Sequence, residues 1–352
     1  MRCFLFLSLL ACGLADVHAA PSPYPKAWLI RDPANYADIL SYQKNNEPVY
    51  IHKDDAADLH YGMSENDLEP QTHPAWDVYD VLYEDVAPSY LLGLQLLASG
   101  DAAQAEKMFI KSSKEKSLSK LPFKETPTFK THLDEKLLLC ALALGKSGNA
   151  EKYFKLILQG NGYHAKVRTT QRYIKYLIEQ QSNPAQAQQL AEDLLKKNLK
   201  IEDKAEIEIQ RCLAMSLQKK HGEAKFELEK VVLNYADKVP DIEAQKNDAL
   251  STIIIYHEKS YSNGVNFFTR LLKDNRKYAT ASTYLKLGDC YTELKRFEEA
   301  RWNYINAFNL EYKNKALLES IIDKVLAMNR EIAAKESGAP IEQFMNKVKA
   351  TL

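Results

Sequence analysis

Apolar residues along this chain recur at helical spacing, in pairs of segments that are joined by short polar turns. In the clearest pair, Leu287 and Tyr291 stand four residues apart, and Ala300 and Tyr304 repeat that spacing after the turn. Residues four apart share one face of an α-helix, so each pair of segments predicts a helical hairpin. A small residue opens each second helix at intervals of roughly 40 residues, which indicates a repeat array. These small residues are Ala105, Ala150, Ala187, Ala224, Gly264 and Ala300.

The strongest repeat lies within residues 281–312. Its first helix carries Tyr284, Leu287, Gly288 and Tyr291, and its second helix carries Ala300, Tyr304 and Ala307. This pattern resembles the tetratricopeptide repeat (TPR), a helix–turn–helix unit of about 34 residues. Gly288 offers no side chain where the second helix is expected to cross closely, and Tyr304 is expected to fill the space between the two helices.

The resemblance implies an all-α fold, in which about six TPR-like helical hairpins form an α-solenoid. It implies a right-handed superhelix, preceded by an irregular N-terminal arm. The likeness covers residues 86–312 and is weaker in the middle repeats, where other residues replace the glycine of the first helix. Those replacements are Leu138, Lys175, Cys212 and Thr252. A HEAT-like or other α-solenoid is the structural alternative.

Four domains are predicted along the chain. A signal peptide at 1–19 precedes an acidic arm at 20–85, in which prolines are frequent and residues 35–43 and 76–83 are expected to form short helices. The repeat array follows at 86–312, and residues 313–352 are predicted to form capping helices. A cap is expected because the last repeat of a solenoid needs a polar outer face.

The first residues predict export. An apolar run from Cys3 to Ala15 follows Arg2, and Val17-His18-Ala19 has the small residues that signal peptidase prefers. Leu9-Leu10-Ala11-Cys12 also resembles a bacterial lipobox, which would attach lipid to Cys12. We therefore expect an exported protein, either periplasmic or anchored as a lipoprotein, with membrane contact only if Cys12 is lipidated.

The charge of the chain does not identify a binding partner. The chain has 47 basic and 47 acidic residues, with an acidic excess before residue 86 and a basic excess after it. The acidic arm is expected either to be simply solvated, or to dock on the basic repeat body or repel a wrong partner. The basic residues are interspersed with acidic ones, so no nucleic-acid partner is predicted.

Candidate chemistry is sparse. His52, Asp54, Asp55, Asp58 and His60 form the one cluster that resembles a metal-ligand set, but they fit no fixed-geometry metal motif and are interpreted as a polar surface loop. Cys140, Cys212 and Cys290 lie among apolar residues of first helices and are expected to be buried. No catalytic residue, cofactor or metal is predicted, and the protein is not expected to be an enzyme.

In the tetratricopeptide family the first helices line a concave groove. The resemblance therefore implies that a set of first-helix side chains binds a peptide or a partner helix, as part of a non-catalytic protein–protein interaction scaffold of the cell envelope. This predicted groove consists of Tyr90, Leu94, Glu135, Leu139, Arg172, Tyr176, Glu179, Leu213, Tyr256 and Asp289.

An alternative function belongs to a different class. Trp28 and Trp76 of the arm could stack on a sugar ring, which would make the protein a recognition module for envelope glycans or lipids. That function requires the two indoles to be exposed, whereas the scaffold function expects them to be buried.

Overall fold

The computed structural model describes residues 24–54, 58–64, 67, 69–74, 77–84, 86–115, 129–160, 165–311, 314–332 and 339–351. The signal peptide, Cys12 and Trp76 lie outside these ranges. The chain divides into two compact units, residues 1–167 and residues 168–352, and each is described by itself.

The first unit begins with a five-stranded antiparallel sheet. Its strands are β1 (Lys26–Ile30), β2 (Val49–Asp54), β3 (Asp58–Gly62), β4 (Gln71–Pro74) and β5 (Asp80–Tyr83), in the order β4-β3-β2-β1-β5. A short 3₁₀ turn (Pro33–Tyr36) and helix α1 (Ile39–Asn45) connect β1 to β2. The arm is therefore more regular than predicted.

The short helix predicted at residues 76–83 is wrong, because Asp80–Tyr83 is strand β5. All four residues of β5 are buried, and they pair in register with β1 from Ala27 to Ile30. A strand that is buried on both sides lacks the apolar–polar alternation that reveals a half-exposed strand. The buried carboxylate of Asp80 hides it further.

Two helical hairpins follow the sheet. They consist of α2 (Pro88–Ala98) with α3 (Ala102–Ser112), and α4 (Phe129–Ala143) with α5 (Ser147–Gln159). One buried cluster joins the sheet to these hairpins: Trp28 and Ile30 of β1 pack with Tyr90 and Leu94 of α2 and with Phe109 of α3. The N-terminal sheet is thus part of the core of the first unit.

Helix α6 (Lys166–Glu179) begins next to the boundary between the units and pairs with α7 (Pro184–Leu195). The second unit continues with three further hairpins: α8 (Ile201–Leu217) with α9 (His221–Tyr235), α10 (Ile242–Thr252) with α11 (Tyr261–Asp274), and α12 (Ala281–Glu293) with α13 (Phe297–Leu310). Helices α14 (Lys315–Ile332) and α15 (Ala339–Thr351) close the chain.

The small residues that defined the repeat lie where the helices of each hairpin meet. Ala105, Ala150, Ala187, Ala224 and Ala300 are fully buried. A Cβ added to Gly288 would lie 2.5 Å from the ring of Tyr304, and a Cβ added to Gly93 would lie 2.6 Å from the ring of Phe109. The predicted fold class, an array of TPR-like hairpins after a non-repeat arm, is confirmed. The right-handed sense of the superhelix stays a prediction.

One first helix departs from regular geometry. After α10, residues Ile253–His257 form a π-turn, in which the backbone takes one extra residue per turn. Ile253, Ile254 and Ile255 are buried while Tyr256 is 44% exposed. The extra residue lets three consecutive isoleucines reach the core and turns Tyr256 outward.

None of the helices in the described ranges combines the length and the apolar character that crossing a membrane requires. Cys140, Cys212 and Cys290 are free and buried, as predicted. Burial raises the pKa of each thiol to about 12, so the thiols stay protonated at neutral pH.

Candidate binding cleft

The part of the predicted groove that falls in the first unit is covered. Tyr90 and Leu94 are 2% and 0% exposed because Trp28, Ile30 and Leu82 of the sheet pack against them. They were expected to line an open groove, and this expectation is corrected: the protein's own sheet occupies the face that they present. Leu139 is half-buried.

Glu135 belongs to a buried charge cluster between the sheet and α4. Lys136 and Asp80 form an ion pair at 2.7 Å, and both are almost fully buried. Glu135 also pairs with Lys136, and the hydroxyl of Tyr36 donates a hydrogen bond to Asp80. Burial works to lower the pKa of Lys136, but Asp80 and Glu135 together outweigh it and the pKa is raised. These groups stabilise the docked sheet and are not accessible to a partner.

His132 extends this cluster. Its Nδ1 lies 3.5 Å from Asp80 Oδ1 and its Nε2 lies 3.8 Å from Asp54 Oδ2. Asp54 therefore points into the core, while His60 Nδ1 meets the hydroxyl of Thr72 and His52 stacks on Tyr24. The described residues of the cluster interpreted as a surface loop instead belong to strands β2 and β3. Within the described residues no group of three such side chains is arranged so that it could hold a metal ion.

An open cleft lies in the second unit, where the first helices of three consecutive hairpins run side by side. It encloses about 850 Å³ between α6, α8, α10 and the π-turn. Its lining includes Glu179, Leu213 and Tyr256 from the predicted groove. The other lining residues are Lys175, Ile178, Gln181, Glu206, Ile209, Gln210, Ala244, Gln245, Asp248, Ala249, Thr252 and His257.

Helical spacing explains which side chains reach the cleft. On α8, Glu206, Gln210 and Leu213 stand four and then three residues apart, so they share one face. On α10, Ala244, Asp248 and Thr252 repeat every fourth residue. Each first helix thus presents one stripe, and the three stripes combine an apolar floor with polar groups.

Gln210 is the most unusual polar group of the cleft. Its side chain is only 6% exposed. Its Nε2 donates to Glu206 Oε1 at 3.3 Å, which leaves Oε1 buried and without a hydrogen bond among the described residues. The opposite amide orientation would place two oxygens together, so this orientation is the favourable one. A buried acceptor without a donor costs about 1–3 kcal/mol, which a bound donor would recover.

The charges around the cleft are unevenly compensated. Asp248 is neutralised by Lys286, at 2.5 Å. Lys175 and Glu179 are 3.9 Å apart, and both side chains are more than half exposed, so this pair is weak. Glu206 is exposed and forms no ion pair in the described part of the chain.

Tyr256 and Asp289, both predicted groove residues, interact with each other. Burial, together with the carboxylate of Asp289, raises the pKa of Tyr256 to about 12. Asp289 also accepts a hydrogen bond from the hydroxyl of Tyr304 at 2.8 Å and pairs with Lys324. Asp289 therefore holds Tyr256 in place at one end of the cleft and is not itself part of the lining.

The two remaining predicted residues lie outside the lining of the cleft. Tyr176 is buried, at 6% exposure, and Arg172 is half-buried. Both belong to α6, whose residues Lys175, Ile178 and Glu179 reach the cleft instead. Of the three residues predicted on α6, only Glu179 lines the cleft.

Two histidines share one hydroxyl behind the cleft. The Nδ1 atoms of His221 and His257 each lie 2.9 Å from Ser216 Oγ. Burial, with a smaller contribution from His221, lowers the pKa of His257 to about 4. His257 is therefore neutral near pH 7 and adds no positive charge to the cleft. Sequence reasoning missed this arrangement because the two histidines are far apart along the chain.

A smaller cavity of about 270 Å³ continues the same face toward α12. It shares Ala244 and Asp248 with the cleft, and Thr283 and Lys286 of α12 line its far side. The four first helices α6, α8, α10 and α12 thus line two neighbouring cavities within the second unit.

One of the two tryptophans that the glycan- or lipid-recognition alternative requires is not exposed. Trp28 is 8% exposed, and its indole N–H donates to the carbonyl oxygen of Asn46 at 3.0 Å. An indole buried in this way has no free face for a sugar ring, and Trp76 lies outside the described residues.

Comparison with known proteins yields distant structural likenesses. No protein-family model matches the chain, and no curated protein matches it either. A tetratricopeptide repeat protein from Parabacteroides merdae is 13% identical, covers 75% of this chain and 100% of its own, and superposes with a TM-score of 0.45. Pseudomonas aeruginosa pilF is 16% identical, with coverages of 74% and 96% and a TM-score of 0.32. The TPR domain of P58(IPK) is 12% identical, with coverages of 71% and 80% and a TM-score of 0.27.

Proposed function

We propose that this protein is a non-catalytic protein–protein interaction scaffold, and that the cleft of the second unit binds a peptide segment of its partner. The observation that carries the proposal is the open cleft of about 850 Å³, lined by three consecutive first helices, with an apolar floor and a buried acceptor that lacks a donor. Such a combination of apolar surface and few polar groups is typical of sites that bind a ligand.

The dimensions suit a short segment. Adjacent packed helices lie about 10 Å apart, so three first helices span roughly 20 Å. An extended chain covers that span with about six residues. Ile178, Ile209 and Leu213 supply apolar contacts along the way, and Tyr256 adds an aromatic rim. The sheet that packs on α2 supports this location, because it covers the face of α2 that carries Tyr90 and Leu94.

The test is a peptide selection with matched leucine variants. The immobilised full-length protein selects from a library of nine randomised residues, and we expect one enriched motif. Leu213→Gln should lower the affinity for that motif at least tenfold, because it removes apolar contact in the cleft and adds a buried amide. Leu233→Gln makes the same change on α9, where Leu233 is 81% exposed, and should leave the affinity unchanged.

Two results would count against the cleft. One is a selection that yields no motif, and the other is equal loss of binding in the Leu213 and Leu233 variants. Circular dichroism of each variant shows that a loss of binding is not a loss of fold.

We further propose that the scaffold acts in the cell envelope after removal of residues 1–19. The proposal is supported by the charged start, the apolar run and the small residues before Ala20. Mass spectrometry of the native N-terminus should find Ala20. A start at Cys12 with a mass increase from attached lipid would indicate the lipoprotein form, and an intact Met1 would reject export.

A further inference from the structure

We infer that the cleft of the second unit selects a basic side chain, arginine or lysine, in the peptide that it binds. This inference rests on the proposed function and specifies its ligand. It is carried by Gln210, Glu206 and Glu179, which line the same cleft and whose side chains carry hydrogen-bond acceptors.

The floor of the cleft requires a donor. Gln210 is 94% buried, given its 6% exposure, and its Oε1 has no hydrogen-bond partner among the described residues. A guanidinium carries five N–H donors and no acceptor, and an ammonium carries three. Either group satisfies Gln210 Oε1, whereas a carboxylate or an apolar side chain would leave it unpaired.

The rim of the cleft favours a positive charge. Glu206 and Glu179 are exposed carboxylates, and Asp248 is already neutralised by Lys286. His257 adds no charge near pH 7, since burial lowers its pKa to about 4. Lys175 is the one lysine in the lining, and at 3.9 Å it compensates Glu179 only weakly. The uncompensated charge of the cleft is therefore negative.

The walls suit the rest of a basic side chain. Ile209 and Leu213 lie beside Gln210 on α8. They can pack against the methylene groups of a lysine or arginine side chain, which commonly lie along apolar surface while the charged group stays in a polar environment. Tyr256 presents a partly exposed ring at the end of the cleft. A cation over that ring would gain a cation–π contact.

The experiment extends the peptide selection. We expect lysine or arginine to dominate one position of the enriched motif. Replacing that residue with citrulline or acetyl-lysine, which keep the shape and remove the charge, should weaken binding at least tenfold. Hydrogen bonds to charged groups are about twice as strong as neutral ones, and tenfold corresponds to about 1.4 kcal/mol.

Three variants of the protein assign the preference to the cleft. Glu206→Gln and Gln210→Met should each reduce the discrimination between the charged and the neutral peptide at least fivefold. Lys175→Gln should strengthen binding of the charged peptide, because it removes the competing cation. Glu331→Gln makes the same change as Glu206→Gln on an exposed residue at the end of α14, outside the cleft, and should change nothing.

The outcomes separate this inference from the proposed function. A motif that depends on Leu213 but shows no basic position overturns the inference and leaves the peptide-binding function standing. A basic preference that persists in both Glu206→Gln and Gln210→Met also overturns the inference. A selection that yields no motif dependent on Leu213 rejects both.

Discussion

At the scale of single residues, the absence of a side chain at two positions decides how closely helices pack. Gly288 and Gly93 occupy the same position of their hairpins, and in each case an aromatic ring fills the space that a Cβ would need. The ring of Tyr304 is fixed further by hydrogen bonds of its hydroxyl to Thr292 and Asp289. The ring therefore cannot move away without breaking these partly buried hydrogen bonds.

We predict that Gly288→Ala destabilises the protein by about 1–3 kcal/mol, the usual cost of overpacking a well-packed core. Gly222→Ala is the matched control, because Gly222 also lies in a helix and a Cβ there meets nothing within 4 Å. Urea denaturation of both variants measures the difference. Equal stability of the two would contradict the packing argument.

The lowered pKa of His257 makes the free energy of unfolding depend on pH. Its pKa is about 4 in the folded protein, below the ordinary value of 6.5, so the unfolded chain binds the proton more readily. The free energy of unfolding should therefore fall as the pH decreases from 6.5 toward 4. In His257→Gln this fall should be smaller, as measured by urea denaturation at several pH values. Parallel curves for the variant and the wild type would reject the prediction.

At the scale of elements, a buried ion pair connects the sheet to helix α4. The positive charge of Lys136 compensates the negative charges of Asp80 and Glu135, and all three residues are at most 1% exposed. Burying such charges is costly, and each is tolerated because its partner is present. The sheet and α4 therefore stabilise each other, and each is expected to be less stable without the other.

We predict that Lys136→Met destabilises the first unit by about 3–5 kcal/mol, because two carboxylates stay buried without their cation. Lys146→Met is the control: Lys146 pairs with Glu106, but its side chain is 45% exposed, so the change should cost less than about 1 kcal/mol. Hydrogen exchange should show faster exchange in β5 and α4 for the first variant only. Unchanged exchange there would contradict the coupling.

The sequence predicts local features of the repeats well and the arm poorly, for a physical reason. The positions of Ala105, Ala224 and Gly264 follow from spacing within one hairpin, where contacts are local. Strand β5 pairs with β1 across about 50 residues of chain, and such pairing leaves no periodic signal when both faces are buried.

The same distinction applies to the candidate site. Glu179, Leu213 and Tyr256 were predicted from the register that the resemblance to the tetratricopeptide family implies, and they do line the cleft. Tyr90 and Leu94 were predicted by the same register, but the sheet that covers them is specified by distant residues. Gln210 was not predicted, because a single amide side chain next to Ile209 does not by itself indicate a binding residue. Its four-residue spacing from Glu206 could have indicated it.

At the scale of the whole molecule, each of the two compact units contains a buried apolar cluster of its own among the described residues. The cluster around Trp28 and Leu137 lies within the first unit, and the cluster around Cys212 and Leu228 lies within the second. The cluster around Tyr304 and Val325 also lies within the second unit. A unit with its own core is expected to fold by itself.

We predict that residues 165–352 fold without the first unit and bind the selected peptide within about threefold of the full-length affinity, a difference below 1 kcal/mol. Cooperative thermal unfolding of this fragment and a binding isotherm test the prediction. A fragment that unfolds without cooperativity would show that the second unit depends on the first.

The buried ion pair also orders events during synthesis. The hydroxyl of Tyr36 and the ammonium of Lys136 meet at 3.3 Å, although 100 residues separate them in the chain. A polypeptide that emerges from its N-terminus first has made the whole sheet before the cation that neutralises Asp80 exists. Until α4 has been synthesised, the sheet carries a carboxylate that it cannot bury. Completion of the N-terminal sheet should therefore wait for the second hairpin, and nascent chains that end before residue 136 should remain sensitive to protease.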